Sequence, residues 1–333
     1  MAKQKALILS DSKPGHFYQS IGLCLNLKKR GFISDFDILN IPIKSGIDKL
    51  LSYTISLFHP VSIIKKLKQY STDIIFEKYT LIIGTGSTAS IYSNAIKNVF
   101  NLKCVQILRP LPFLKHDLIF LPFHDSYHET ENVFRFLTAF GKIDSSDLLK
   151  NPDKLQNRLD TNKDYNNSIS ILIGGNSKRY KMEYTDIIPY IEALLKRNIP
   201  LLFTTSRRTP SNIYKELKNI SNNPLIRLSV FVHEEDFNPM PEMFYYSSRI
   251  IVTEDSFSMI SDSVNSKKPV GILLSNKRKN IKIRKTIYAL ENSDLVFLIR
   301  SKKDIDKFLL WNPDNNIIDS TENILLRIKD LIS

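Results

Sequence analysis

The residues able to do chemistry in this 333-residue chain fall in short polar turns, each placed where an apolar, β-branched run gives way to a helical pattern. Ser10-Asp11-Ser12-Lys13-Pro14-Gly15-His16 follows the run Ala6-Leu7-Ile8-Leu9. Its histidine stands at the start of a helix, where an imidazole, which exchanges its proton near neutral pH, can take one from an attacking hydroxyl. Gly84-Thr85-Gly86-Ser87-Thr88 and Gly174-Gly175-Asn176-Ser177-Lys178 combine glycines with small polar residues, which lets backbone approach a ligand. Ser206-Arg207-Arg208-Thr209-Pro210 adds two guanidinium groups, whose planar forks match the oxygens of a diphosphate. Thr253-Glu254-Asp255-Ser256-Phe257-Ser258 is acidic and hydroxylic, so it suits ribose hydroxyls or the capping of the helix that follows. His124-Asp125 stands at one more strand end, but adjacent residues on an extended chain point to opposite faces. His59, His116, His128 and His233 lack ligand spacing, and no metal is expected.

The elements that must position these turns alternate strand and helix twice over. Strands are predicted at 6–9, 36–41, 79–83, 104–108 and 117–121, and again at 168–173, 201–205, 249–252 and 269–274. Lys28-Lys29-Arg30-Gly31 closes the first helix, basic last turn and glycine stop together. Helices are predicted at 184–197, 303–311 and 321–332, with Thr209-Pro210 capping another. The Asp-, Asn- and Lys-rich stretch 142–167 reads as a linker. A chain of this length exceeds the usual size of one core. The expectation is an α/β protein of two Rossmann-like β/α/β domains facing a cleft. An N-terminal acceptor-side domain would cover 1–145 and a C-terminal donor-binding domain 165–315, with a last helix in 316–333 packing back on the first. Polar turns at strand ends in both halves describe an enzyme that binds an activated, phosphate-bearing donor.

Composition adds a net charge of +13, which fits an anionic ligand or surface. The sequence shows no helix-turn-helix, zinc finger or RNP-like motif, so nucleic acid is not the expected partner. Cys24 and Cys104 lack redox or metal spacing, and no window holds the roughly 18 apolar residues of a membrane span, so a cytoplasmic location is expected. Residues 44–70 are unusual: Leu50, Leu51, Tyr53, Ile55, Leu57 and Phe58 precede Pro60, and five lysines meet one aspartate. Such a segment reads either as a patch for an anionic membrane surface or as two helices packed on the sheet with a solvated lysine face.

Taken in order, Asp11-Ser12-Lys13-Pro14-Gly15-His16 with Gln19-Ser20, Pro122-Phe123-His124-Asp125, Ile173-Gly174-Gly175, Thr204-Thr205-Ser206-Arg207-Arg208-Thr209-Pro210, Thr253 through Ser261 and Lys268-Pro269-Val270 resemble the mitochondrial-fission ELM family. Arg109-Pro110-Leu111-Pro112 and Phe123 depart from the family's pattern. The resemblance implies an architecture similar to the GT-B glycosyltransferases, and the layout looks like that of the lipid-linked N-acetylglucosaminyltransferases of peptidoglycan synthesis. It implies sugar transfer from a nucleotide-sugar, bound as substrate without cofactor or metal, to an acceptor that could be lipid-linked, at the inner face of a membrane. His16 would be the base. Lys13, Gly15, Gly84, Gly86 and Ser87 would line the first half of the site. Gly174, Gly175, Asn176, Ser206, Arg207, Arg208 and Thr209 would hold the diphosphate, with Glu254, Asp255, Ser256 and Ser258 toward the ribose and His124 and Asp125 as additional candidates. Plant members are linked to recruiting a dynamin-type GTPase, which implies the alternative of a non-catalytic adaptor on the same scaffold.

Overall fold

The computed structural model describes residues 4–42, 45–70, 74–140, 165, 167–177, 181–235, 238–275, 282–313 and 320–333. Most of the predicted linker, and Lys44 and Lys178 of the predicted patch and turn, lie outside the described residues. The chain forms two compact units, one of residues Met1–Lys142 with Ile318–Ser333 and one of Ile143–Ile317.

The first unit is a six-stranded sheet of β1 (Lys5–Ser10), β2 (Asp35–Asn40), β3 (Leu81–Thr85), β4 (Lys103–Ile107), β5 (Leu118–Pro122) and β6 (Val133–Phe136). The order is β2-β1-β3-β4-β5-β6 and every pairing is parallel. Strands covered on both faces read as unbroken apolar runs, and Ala6-Leu7-Ile8-Leu9 and Leu81-Ile82-Ile83 are accordingly buried throughout. Its helices are α1 (Pro14–Lys29), α2 (Gly46–Phe58), α3 (Pro60–Tyr70) and α4 (Gly86–Phe100). Pro14 opens α1 as the first helical residue, where its missing N–H costs nothing, and Gly31 at φ +71° follows its end. The chain's last helix, α11 (Ser320–Ile332), belongs to this unit too and buries Ile324, Leu325 and Ile328. Arg30 pairs with Glu322, the Gln4 amide donates to the Ile332 carbonyl, and the Arg327 guanidinium lies 5.1 Å from the Phe134 ring centroid.

The second unit repeats the plan with β7 (Ser168–Leu172), β8 (Leu201–Thr204), β9 (Ile226–Val230), β10 (Ser247–Thr253), β11 (Val270–Leu273) and β12 (Phe297–Ile299). The order is β12-β11-β10-β7-β8-β9, again all parallel. Its helices are α5 (Ile188–Leu195), α6 (Ser211–Ile220), α7 (Met240–Tyr246), α8 (Phe257–Asn265), α9 (Arg284–Asn292) and α10 (Asp304–Leu310). The core gathers Ile171, Leu201 and Phe203 from the strands with Ile191, Ile213 and Phe308 from the helices.

Each sheet reverses its strand order once, between β1 and β3 and between β7 and β10. Chain connections leave in opposite directions at such a point, which opens a crevice at the carboxyl ends of the two strands. His16 and the 84–88 turn lie at the first reversal. Gly174-Gly175 and Glu254-Asp255 lie at the second, with 206–209 one strand away.

Candidate functional site

At the first reversal the chain builds an acid–histidine pair. Asp11 ends the strand–helix turn with its side chain fully buried, and both carboxylate oxygens lie at hydrogen-bond distance, 3.0 and 3.1 Å, from His16 Nδ1. Lys13 Nζ donates to Asp11 Oδ2 at 2.9 Å. Burial pushes the Asp11 pKa up, but the hydrogen bond from Lys13 and the charges of His16 and Lys13 outweigh it and hold the carboxyl below its ordinary value. An ionised carboxylate can only accept, so in the neutral imidazole Nδ1 carries the proton and Nε2 the lone pair. Asp11 is therefore a candidate site residue that the sequence expectations left out, although it sits five residues before His16. Gly86 has φ +79°, and a Cβ there would fall well under 3.0 Å from the imidazole. The glycine thus lets the histidine lie against the first turn of α4. Gln106, fully buried below, donates from Nε2 to the Gly86 carbonyl at 3.2 Å and to that of Ile107 at 2.8 Å, which fixes this turn. Gly84 is buried within β3 and packs against Gln106, Ala89 and Ser93, so its role is packing rather than ligand approach. Gly15 is exposed on the first turn of α1.

His124 and Asp125 stand in a tight turn after β5, where the Asp125 amide donates to the Pro122 carbonyl and Arg135 donates to the Asp125 carbonyl. They share the sheet edge with His16, with β3 and β4 intervening between β1 and β5. His116 belongs to the core, with Nε2 3.2 Å from Ser93 Oγ and its pKa pushed down to about 4 by burial. Among the described residues no group of three His, Cys, Asp or Glu side chains is placed to hold a metal.

In the second unit the three turns are knitted to each other. The Gly174 amide donates to Thr253 Oγ1 at 2.9 Å, the Gly175 amide to Asp255 Oδ2 at 2.9 Å, and the Asn176 amide to the Arg208 carbonyl at 2.8 Å. Arg208 donates from Nη1 to the Asn176 carbonyl at 3.0 Å and from Nη2 to Asp255 Oδ2 at 3.0 Å. Thr209 Oγ1 donates to the Gly174 carbonyl at 2.6 Å and accepts from the Ser206 amide at 3.0 Å. The N–H groups of Gly174 and Gly175, expected to cradle a diphosphate, bond here to Thr253 and Asp255, and the glycines allow the close approach of neighbouring turns. A Cβ at Gly174 would strike Asp255, and one at Gly175 the backbone of Arg208 and Thr209. We expect Gly175→Ala to force the 206–209 backbone outward and to cost roughly 1–3 kcal/mol, as overpacking does elsewhere. Denaturant unfolding checks this, and an unchanged midpoint would mean that the turn adapts.

Glu254, expected toward the ribose, is enclosed by protein. Its side chain is fully buried and closed by Arg284, which donates from Nε to Oε2 at 2.6 Å and from Nη2 to Oε1 at 2.7 Å. The Ser275 amide adds a third donor at 3.0 Å. Asp255 is likewise enclosed; burial pushes its pKa up against the opposing pull of the Gly175 amide, the Thr253 hydroxyl and the Arg208 guanidinium. Ser256 is the N-cap of α8, its Oγ accepting from the Met259 amide at 3.5 Å. Arg207, Asn176 and Ser258 are exposed on this edge and Ser206 is half-buried, so these side chains have access to a ligand.

The surface of the first unit carries a helix that is apolar on its outer side as well as its inner one, where Tyr53, Ile55 and Leu57 of α2 pack against the core. On α2, Lys49, Ser52 and Ser56 turn toward the protein: Ser52 and Ser56 are buried, Ser56 Oγ donates to the Ile91 carbonyl of α4 at 2.7 Å, and Lys49 Nζ donates to Ser87 Oγ at 2.6 Å. Ile47, Leu50, Leu51 and Phe58 turn outward, with Ile47 77% and Phe58 75% exposed. Val61 on α3 continues this face. Tyr53 OH donates to the Pro112 carbonyl at 2.8 Å, which brings in the next residue, Phe113, at φ +61° and 84% exposed. Soluble helices put the apolar stripe inside. Lys65, Lys66 and Lys68 are exposed on α3. No helix among the described residues is long and apolar enough to cross a membrane.

Two all-parallel β/α units with polar turns at each strand-order reversal define the GT-B scaffold, and solved structures of that fold align along the whole chain. One is a UDP-GlcNAc 2-epimerase of Methanocaldococcus jannaschii in complex with UDP-GlcNAc and UDP, with TM-score 0.52, 12% identity, and coverage of 98% of this chain and 99% of that one. Another is the glycosyltransferase SnogD of Streptomyces nogalater, with TM-score 0.51, 10% identity, and coverage of 99% and 95%. The chain belongs to the mitochondrial fission ELM1 family, whose sequence profile matches residues 14–312. It is also 24% identical over 304 residues to the uncharacterized protein RP120 of Rickettsia prowazekii (strain Madrid E), covering 80% of this chain and 82% of that protein.

Proposed function

We propose that the protein is a GT-B-type glycosyltransferase that moves a sugar from a nucleotide-sugar to an acceptor hydroxyl at a membrane surface. The observation that carries this reading is the Asp11–His16 pair at the strand-order reversal of the first unit. Nε2 of His16 takes the acceptor's hydroxyl proton, and the oxygen attacks the anomeric carbon. The bond from that carbon to the diphosphate breaks, and its electron pair leaves with the nucleoside diphosphate. Ser206, Arg207 and the first turn of α8 offer a hydroxyl, a guanidinium and a positive helix end to the developing charge. Asp255 and Arg208 keep those turns in register. The outward apolar face of α2 with the lysines of α3 suits an anionic leaflet.

A second reading, a partner-recruiting protein on the same scaffold, draws support from the occupied amides of Gly174, Gly175 and Asn176. Calorimetric titration with UDP- and GDP-sugars separates the two. We expect one of them to bind in the micromolar range typical of enzyme substrates. Silence of both series at millimolar concentration overturns the transferase reading.

A further inference from the structure

Lys49 occupies a position that charge alone would not select. Its ammonium lies on Ser87, the second residue of α4, at the positive end of that helix. Among the described residues it has no carboxylate at ion-pair distance, whereas Lys13 beside it has Asp11. It is half-buried, so water does not fully replace the missing anion. Burial, and next the charge of Lys13, push its pKa down, and Asp11 offsets this in part. The geometry is held rigidly: Ser56 and Asn94 lock α2 against α4, with Asn94 Nδ2 donating to Ser56 Oγ at 3.1 Å. A lysine fixed beside a second lysine, a histidine and the start of a helix is stabilised when an anion enters the group.

The same helix supplies the other half of the argument. Lys49 lies on the inner face of α2, one residue before Leu50, two before Leu51 and two after Ile47, all three of which are exposed. An anion held by Lys49 therefore lies across one helix, about 10–12 Å, from an outward apolar surface.

We infer that Lys49, Ser87 and Lys13 bind the phosphate of the acceptor, a phosphoryl or diphosphoryl group on a membrane-resident amphiphile whose hydroxyl-bearing part reaches His16. The inference rests on the transferase reading for the word acceptor, but the anion site stands or falls by itself. Lys49 contributes an ammonium and Ser87 a hydroxyl. Lys13 divides its charge between Asp11 and the ligand, so phosphate binding and the orientation of His16 are linked through one carboxylate.

Two probes test it with the full chain. Inorganic pyrophosphate is titrated calorimetrically, with Arg207→Ala as background so that the second unit contributes little. Lys49→Gln is expected to weaken binding about tenfold, the size of one lost charge-assisted hydrogen bond. Flotation then compares vesicles carrying phosphatidic acid, a phosphomonoester, with vesicles carrying an equal mole fraction of phosphatidylglycerol, a phosphodiester. Preference for phosphatidic acid that disappears in Lys49→Gln places the phosphate on a lipid. Pyrophosphate binding that needs Lys49, without any vesicle preference, transfers the site to a soluble phosphorylated acceptor and overturns the lipid part. Equal pyrophosphate affinity in the variant overturns the site altogether. Nucleotide-sugar binding by Lys49→Gln is measured in parallel: intact donor binding beside lost phosphate binding leaves both readings standing, and lost donor binding in the unaltered chain removes the transferase reading while leaving the anion site.

Discussion

His16→Ala is expected to lower the rate of sugar transfer by roughly 10²–10⁴-fold while leaving nucleotide-sugar affinity unchanged. That is the range a positioned general base contributes. The turns proposed for the donor belong to the other unit. Asp11→Asn provides the sharper test. The amide can present either an oxygen or an N–H to Nδ1, so the imidazole loses its fixed tautomer without losing volume. The rate of transfer should fall with donor affinity unchanged. A purely structural Asp11 would change stability and leave the rate in place. Stopped turnover with normal donor titration supports the base; turnover unaffected by His16→Ala assigns the proton transfer elsewhere.

The largest effect on stability is expected at the Glu254–Arg284 pair. Arg284→Met leaves a fully buried carboxylate with, among the described residues, only the Ser275 amide as partner and should cost roughly 3–5 kcal/mol. Replacing both residues, as Glu254→Leu with Arg284→Met, should cost far less than the sum of the single changes, because it removes the unpaired charge as well. Denaturant midpoints for the three variants give the coupling directly. Additive losses would show that the pair acts as two separate packing residues. The coupling matters to the site because Glu254 sits immediately before Asp255, whose carboxylate fixes Gly175 and Arg208.

The buried strands were legible because each is an apolar run closed by a polar turn, as at Ala6–Leu9 and Ile250–Val252, whereas the strand order came only from the fold. The edge strands β6, β9 and β12 were not read. Val133–Phe136 and Phe297–Ile299 are too short to show a period, while Ile226–Val230 alternates buried and half-exposed residues and could have been found. Helix α9 follows a stretch outside the described residues and opens on Arg284, a residue chosen for an ion pair rather than for periodicity. In the site, residue type marks the polar turns but not what their atoms face. Residue type marks Gly174, Gly175 and Glu254 as ligand groups equally well whether their partner is a substrate or the adjoining turn. Only coordinates distinguish the two, since Thr253, Asp255 and Arg284 lie 79, 80 and 30 residues away from the groups they bind. Lys49 was hidden for a similar reason: inside a lysine-rich amphipathic segment, nothing local sets apart the one lysine that turns inward.

The return of α11 to the first unit also orders events during synthesis. The ribosome delivers the chain from its N-terminus, so the whole second unit emerges while the first still lacks its last helix. Leu325 and Ile328 cannot cover their part of the first sheet until α11 has been made. The first unit, though its strands are made first, is thus the last to close, and part of its apolar sheet face stays open while the second unit is being synthesised, the state in which a chaperone would meet this chain.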